Sequence, residues 1–297
     1  HSFFWIFLSA VASASAQSDP ARLEDLTWDD AQQQALSRFG QQTLKAENIE
    51  WNHASSEHFI YHFVKRGTVE RVASDLELYY PLIMKDLKIE DDRWEIPCQV
   101  FVFELDSSWK TFVSHGGMDP WVGAFYRSNE IFLPAPPKIG LSGGTTIPHE
   151  LTHLVLDRFL RGKLPVWLNE GVAEQQANKH FVARMKPKII NLPLPPNFVY
   201  AKNYLPLAEL TAASDYPSAN DKVHSFYAES LRLVQFLQEE HPPENFLEFL
   251  QAMADGRKFE NALDRAYGTQ YRTVEIFEKK FKEIVISKTK IVEQLPS

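Results

Sequence analysis

Two helices joined by a very short connection must lie side by side, and one stretch of this chain reads that way. His149-Glu150-Leu151-Thr152-His153 begins an apolar stripe that continues through Leu154, Val155 and Phe159 as far as Arg161. Gly143-Gly144 end the loop ahead of it, Thr145 or Thr146 can cap, Pro148 suits the first turn, and Gly162 supplies a stop. Leu164-Pro165 then opens a second helix, Val166-Trp167-Leu168-Asn169-Glu170-Gly171-Val172-Ala173-Glu174. The pair is predicted to form an antiparallel αα-hairpin.

The hairpin carries chemistry. Positions i and i+4 of a helix share a face, so His149 and His153 can reach one metal ion while Glu150 faces a water held there. A third ligand is needed, and the second helix offers Glu170 and Glu174 on one face. One can bind the metal, and the other can accept the free N–H of a ligating histidine. Mirror counting about Lys163 puts Glu174 nearer the histidines, but periodicity alone does not choose between the two.

Composition narrows the ligand types. The 297-residue chain has a single cysteine, Cys98, which excludes a disulfide framework and any thiolate-rich zinc or iron–sulfur site. Cys98 falls in the apolar run Cys98 to Phe103, where a buried, inert thiol is expected. Hydrophobic residues make up 44%, enough for a core that needs no staple. A formal net charge of -8 argues against a nucleic-acid or anionic-membrane partner.

At the N-terminus, Phe3 to Val11 is apolar and is followed by Ala14-Ser15-Ala16, a small-x-small cleavage pattern. The run is shorter than the ~20 apolar residues of a membrane span. Residues 1–16 are therefore expected to be a signal peptide whose start lies upstream of His1, and the protein to be secreted or periplasmic. Residues 17–48 read as a polar, partly helical lead-in arm, 49–287 as one catalytic domain and 288–297 as a tail.

Within that domain, His58 to Phe63 is a strand candidate, Thr68 to Leu87 carries a helical stripe, and Cys98 to Phe103 is a second strand. Gly123 to Arg127 and Glu130 to Leu133 flank Ser128-Asn129 as a hairpin. Beyond the Pro-rich segment at Leu192 to Pro196, helices are predicted over Asn220 to Glu240, Glu244 to Ala254, Phe259 to Tyr267 and Thr273 to Ile286. The fold class is α+β, with a small mixed sheet in front, the αα-hairpin at the junction and helices behind.

H-E-L-T-H followed by W-L-N-E-G-V-A-E resembles the gluzincin zinc metallopeptidases of the peptidase MA-like family. The W-L-N-E-G segment is also similar to aminopeptidase N-type enzymes. The resemblance runs from about Ile49 to Val285 and implies a zincin-like fold. It assigns the third zinc ligand to Glu170 and leaves Glu174 as the partner of a ligating histidine. One Zn²⁺ would be held by His149, His153 and Glu170, with Glu150 taking a proton from the attacking water during peptide hydrolysis. Tyr227, in His224-Ser225-Phe226-Tyr227-Ala228-Glu229-Ser230, matches the tyrosine that donates to the oxyanion in those enzymes; His224 is a second candidate donor. Gly116-Gly117-Met118-Asp119-Pro120 echoes the G-x-M-E-N exopeptidase signature, but Asp and Pro break it, and a turn is expected. The other histidines show no spacing for a second metal, and Trp109, Trp121 and Trp167 read as core or cleft wall. A peptide or protein is the implied substrate. Two other classes fit the residues: a zinc-binding secreted protein without activity, to which Glu150 would be superfluous, and a zinc hydrolase of non-peptide amides.

Overall fold

The structure, a computed structural model, describes residues 19, 21–29, 35–46, 49–90, 96–119, 122–134, 144–160, 162–185, 204–217, 220–239, 241–271 and 273–293. The expected signal peptide, the Pro-rich segment at 192–196 and Trp121 lie outside them.

A six-stranded sheet has the order β1-β2-β3-β4-β6-β5, with β1 at Glu24–Asp25, β2 at Asn52–Ser55, β3 at Phe59–Phe63, β4 at Cys98–Val102, β5 at Phe125–Arg127 and β6 at Glu130–Leu133. β3, β4 and β6 run parallel in the middle, while β1, β2 and β5 pair antiparallel. Helix α2, Arg66–Asp86, makes the crossover from β3 to β4, which is the predicted β-α-β order. The β5–β6 hairpin turns at Ser128 and Asn129, both at positive φ (52° and 64°), as a two-residue turn between twisted strands demands.

Alternation along the central strands sorts the core into two. Phe59, Tyr61, Cys98, Val100, Val102, Ile131 and Leu133 face one way and merge with the helical half. Phe101, Phe103 and Phe132 face the other way, into an aromatic cluster with Trp109 and Phe112 of α3, Asp106–His115. The lead-in arm closes this second cluster. Its helix α1, Arg38–Leu44, packs Phe39 against Phe112, Phe125 and Phe132. Buried Glu130 of β6 accepts both the N–H and the hydroxyl of Ser37, each at 2.6 Å, tying the arm to the strand beside the cleft.

The helical half comprises α4 (Thr146–Phe159), α5 (Val166–Met185), α6 (Leu207–Ala212), α7 (Asn220–Glu239), α8 (Pro243–Ala254), α9 (Phe259–Tyr267) and α10 (Val274–Glu293). α4 and α5 are the predicted hairpin. Leu160 leaves α4 in an extended conformation, and Gly162 turns the chain at φ 130°. A Cβ at Gly162 would stand 2.0 Å from the carbonyl oxygen of Ala254, so both conformation and space require glycine. Trp167 is fully buried and meets Phe259 edge-on at 5.8 Å. α10 continues past the predicted end at Ile286 through Glu293. No helix among the described residues is long and apolar enough to cross a membrane.

Glu229, on the inward face of α7, is fully buried. One carboxylate oxygen accepts the Leu205 N–H at 2.8 Å, and the other has no partner among the described residues. Burial pushes this carboxyl up to about 8, the Leu205 bond only partly opposing it. The folded state therefore holds a proton that the unfolded chain releases near 4.5. The contribution of Glu229 to stability is therefore fully present below that value and is lost as pH rises toward 8. Glu229→Gln is expected to flatten this fall and to raise the melting temperature at pH 8, a gain on the order of a few kcal/mol. Thermal unfolding of both proteins at pH 5, 7 and 8.5 checks this; parallel curves would show that Glu229 does not control the slope.

Candidate active site

α4 turns His149, Glu150 and His153 toward α5, and α5 turns Glu170 back toward them. His149 Nε2 lies 3.1 Å from His153 Nε2 and 3.3 Å from Glu170 Oε2, while His153 Nε2 is 3.7 Å from Glu170 Oε1. Two imidazole nitrogens and the Glu170 carboxylate thus converge. His149, His153 and Glu170 form the one His/Cys/Asp/Glu group among the described residues positioned to bind a metal ion. Glu174 goes elsewhere: its Oε1 sits 3.2 Å from Nδ1 of His149, the ring nitrogen facing away from the cluster. The two glutamates that periodicity could not separate therefore occupy different sides of the same ring.

The donor chemistry suits a cation. Burial favours neutral His149, but hydrogen bonds to Glu170 and Glu174 outweigh it and raise its pKa well above the usual value. Burial also raises Glu170, yet the two histidines and a hydrogen bond from Tyr216 hold it down at about 2. It stays a carboxylate. His153, by contrast, is lowered chiefly by burial, which keeps it neutral and able to offer a lone pair.

Glu150 is buried on the cleft side of α4, and burial pushes its carboxyl up to about 7, with the His149 charge opposing. A backbone hydrogen bond from Tyr126 of β5 also steadies it. A carboxyl near neutrality can take up a proton and give it back.

These groups line a cleft of about 640 Å³. One wall is β5 with Gly123 and Ala124, and the opposite wall carries Tyr216, Val223 and Tyr227. β5 is an edge strand, so its outer backbone groups face away from β6. Tyr227, on α7, is half-buried in this wall, and burial followed by the nearby carboxylates raises its phenol, which stays protonated. His224 is exposed and does not line the cleft. Gly116 and Gly117 form the expected turn, Gly117 at φ 66°, and Met118 and Asp119 beyond it reach the cleft rim. Trp109 and Trp167 are core residues. Cys98 is buried, and burial pushes its thiol far up, which leaves it unreactive.

One cleft residue escaped the sequence reading. Tyr216, in the segment between α6 and α7, donates its hydroxyl to Glu170 Oε1 at 2.5 Å. Asp215-Tyr216-Pro217 carries no periodicity or motif, so no signal in the sequence marks it.

The position of Glu170 depends on how closely α5 approaches α7. A Cβ on Gly171 would stand 2.5 Å from the Ser230 carbonyl oxygen and 2.8 Å from the Val234 side chain. Glycine after Glu170 therefore allows the two helices to touch backbone to backbone, bringing Tyr227 over the same site.

No curated protein matches this chain. A model of the Peptidase MA superfamily matches residues 97–286, from the start of β4 into α10, and includes the whole hairpin and both cleft walls. β1 to β3, α1 and α2 precede the matched region. The match covers well over half of the 297 residues, and with a His-His-Glu group placed to hold a metal ion, the chain belongs to the Peptidase MA superfamily, a family that points to metal-dependent peptidases.

Proposed function

We propose that this protein is a secreted zinc peptidase that hydrolyses peptide bonds with His149, His153 and Glu170 as the metal ligands. The convergence of those three donors beside Glu150 carries the reading. Zinc is supported by the donor set and by size: ligands about 2.1 Å from a tetrahedral centre lie about 3.4 Å apart. The two histidine nitrogens lie 3.1 Å apart, and Glu170 oxygens lie 3.3 Å from His149 and 3.7 Å from His153, close to that edge. Glu174, on the far nitrogen of His149, fixes the ring's orientation.

Bound Zn²⁺ would supply Lewis-acid polarisation of the scissile carbonyl and make water easier to deprotonate. Glu150, in the cleft beside the ligands, accepts the proton from the attacking water and delivers it to the leaving amine. Tyr227 donates its phenol to the oxyanion that forms as the carbonyl is attacked. An extended peptide is held on the free edge of β5 by strand addition, which places its carbonyls along the cleft. Export rests on the apolar run Phe3 to Val11 and the Ala14-Ser15-Ala16 site.

Elemental analysis and peptide-library cleavage by the wild type and Glu170→Ala test this reading. About one zinc per chain and cleavage are expected in the wild type, with both lost in the variant. Zinc-loaded wild type that cut no peptide would sink the peptidase assignment, and full zinc retention by Glu170→Ala would move the ligand role to Glu174.

A further inference from the structure

Tyr216 is placed the wrong way round for a packing residue. A tyrosine at a protein surface ordinarily buries its ring and leaves its hydroxyl in water. Here the residue remains 45% exposed while its hydroxyl is turned inward onto Glu170, which is only 3% exposed. Its ring is braced from behind. It stacks on Tyr227 with centroids 6.2 Å apart and planes at 26°, and it meets the buried ring of Phe226 edge-on at 6.0 Å. Its own N–H bonds to the Asp215 carboxylate at 2.8 Å, fixing the turn that presents it. This arrangement secures the hydroxyl on Glu170.

The bond also divides the Glu170 carboxylate. Tyr216 bonds Oε1, the oxygen that stands 3.7 Å from His153 Nε2, while Oε2 stands 3.3 Å from His149 Nε2. A short phenol–carboxylate bond restrains rotation of the carboxylate and lowers the electron density of the oxygen it occupies. Glu170 has no other hydrogen-bond donor among the described residues than Tyr216 and the histidines it faces.

We infer that Tyr216 is a positioning residue for the metal site: its hydroxyl restrains the Glu170 carboxylate beside the two histidines, and the metal is retained through that restraint. The inference rests on the metal-ligand role proposed above for Glu170. It makes the segment between α6 and α7 part of the metal site, although that segment contributes no ligand. Because Tyr216 also stacks on Tyr227, the same residue ties the ligand on α5 to the proposed oxyanion donor on α7.

Tyr216→Phe removes the hydroxyl and keeps the ring, so stacking on Tyr227 survives. Two readouts apply besides turnover. In the first, metal-loaded proteins are mixed with excess chelator and metal release is followed in time. Release from Tyr216→Phe is expected to be about 10–100-fold faster than from the wild type, the usual cost of losing a partner behind a ligand. Tyr227→Phe, which leaves the Glu170 bond intact, should release at the wild-type rate. In the second, Co²⁺ replaces the native metal and the visible absorption band is recorded, expected to shift in Tyr216→Phe and to stay in place in Tyr227→Phe. Equal release rates and identical bands for Tyr216→Phe and a metal-loaded wild type overturn this inference alone. A wild type that binds no metal overturns it together with the zinc peptidase reading. Faster release in both variants alike would assign the effect to the paired tyrosine hydroxyls rather than to the bond from Tyr216 to Glu170, and also overturn it.

Discussion

Glu150→Gln is expected to keep its metal and to lose about 10²- to 10⁴-fold in turnover, the range that a positioned general base contributes. That corresponds to about 3–5 kcal/mol of barrier. The two effects separate because the proposed ligands and the base are different residues. The three converging atoms belong to His149, His153 and Glu170, while the Glu150 carboxyl lies in the same cleft outside that group. Glutamine matches glutamate in shape, so the buried pocket on α4 is refilled and the Tyr126 backbone bond keeps an oxygen to meet. What disappears is the ability to take a proton. Burial holds the glutamate at about 7, and an amide has no such equilibrium. The check is a peptide assay and metal content on one preparation. Loss of metal on this substitution would make Glu150 a ligand, and wild-type turnover would remove it from the reaction.

Gly171→Ala is expected to destabilise the fold, although helix propensity predicts the opposite. In an isolated helix, alanine is favoured over glycine by about 1 kcal/mol. In this fold the added methyl would meet Ser230 backbone atoms at 2.5 and 2.8 Å. A backbone carbonyl cannot swing aside as a lysine tip can, so α5 and α7 must separate. Overpacking of this kind costs about 2 kcal/mol, which lowers the melting temperature by roughly 4–8 °C in a domain of this size. The chemistry should suffer further, since Glu170 precedes the clash on α5 and Tyr227 lies one turn from Ser230 on α7. A shift near 1 Å between them is expected to cost about 10²-fold in kcat. Thermal unfolding and steady-state kinetics on the variant test both parts, and a melting temperature equal to or above the wild type would falsify the close-approach argument.

Much of this site could be read along the chain, for a local reason. His149, Glu150 and His153 are related by helical spacing alone, and α4 forms wherever its apolar stripe has a core to meet. The β-α-β order, the β5–β6 turn and the α7, α8 and α9 spans were legible on the same grounds, through period and turn chemistry. The choice between Glu170 and Glu174 was not. Counting residues sets a side chain's height on its helix, but not how the connection between helices spends its length. Here Leu160 leaves α4 extended and Gly162 bends the chain at φ 130°, so α5 does not mirror α4 about Lys163. Glu170 therefore faces the inner nitrogens, and Glu174 reaches the outer one.

Gly171 and Tyr216 mark the same boundary between sequence and fold. In the sequence, Gly171 stands in a helix as a mildly unfavourable residue, and only the arrival of α7 explains it. Tyr216 lies in a segment with no period, and its role exists only because the α6–α7 connection passes over α5. The sequence by itself determined the hairpin, the histidine pair with its neighbouring glutamate, and the exclusion of thiolate ligands by a single cysteine. Tertiary structure decided which carboxylate completes the group, which phenols face it and how closely the helices meet. The division follows range: spacing within one helix is set by 3.6 residues per turn, whereas contacts between helices depend on packing that no single segment encodes.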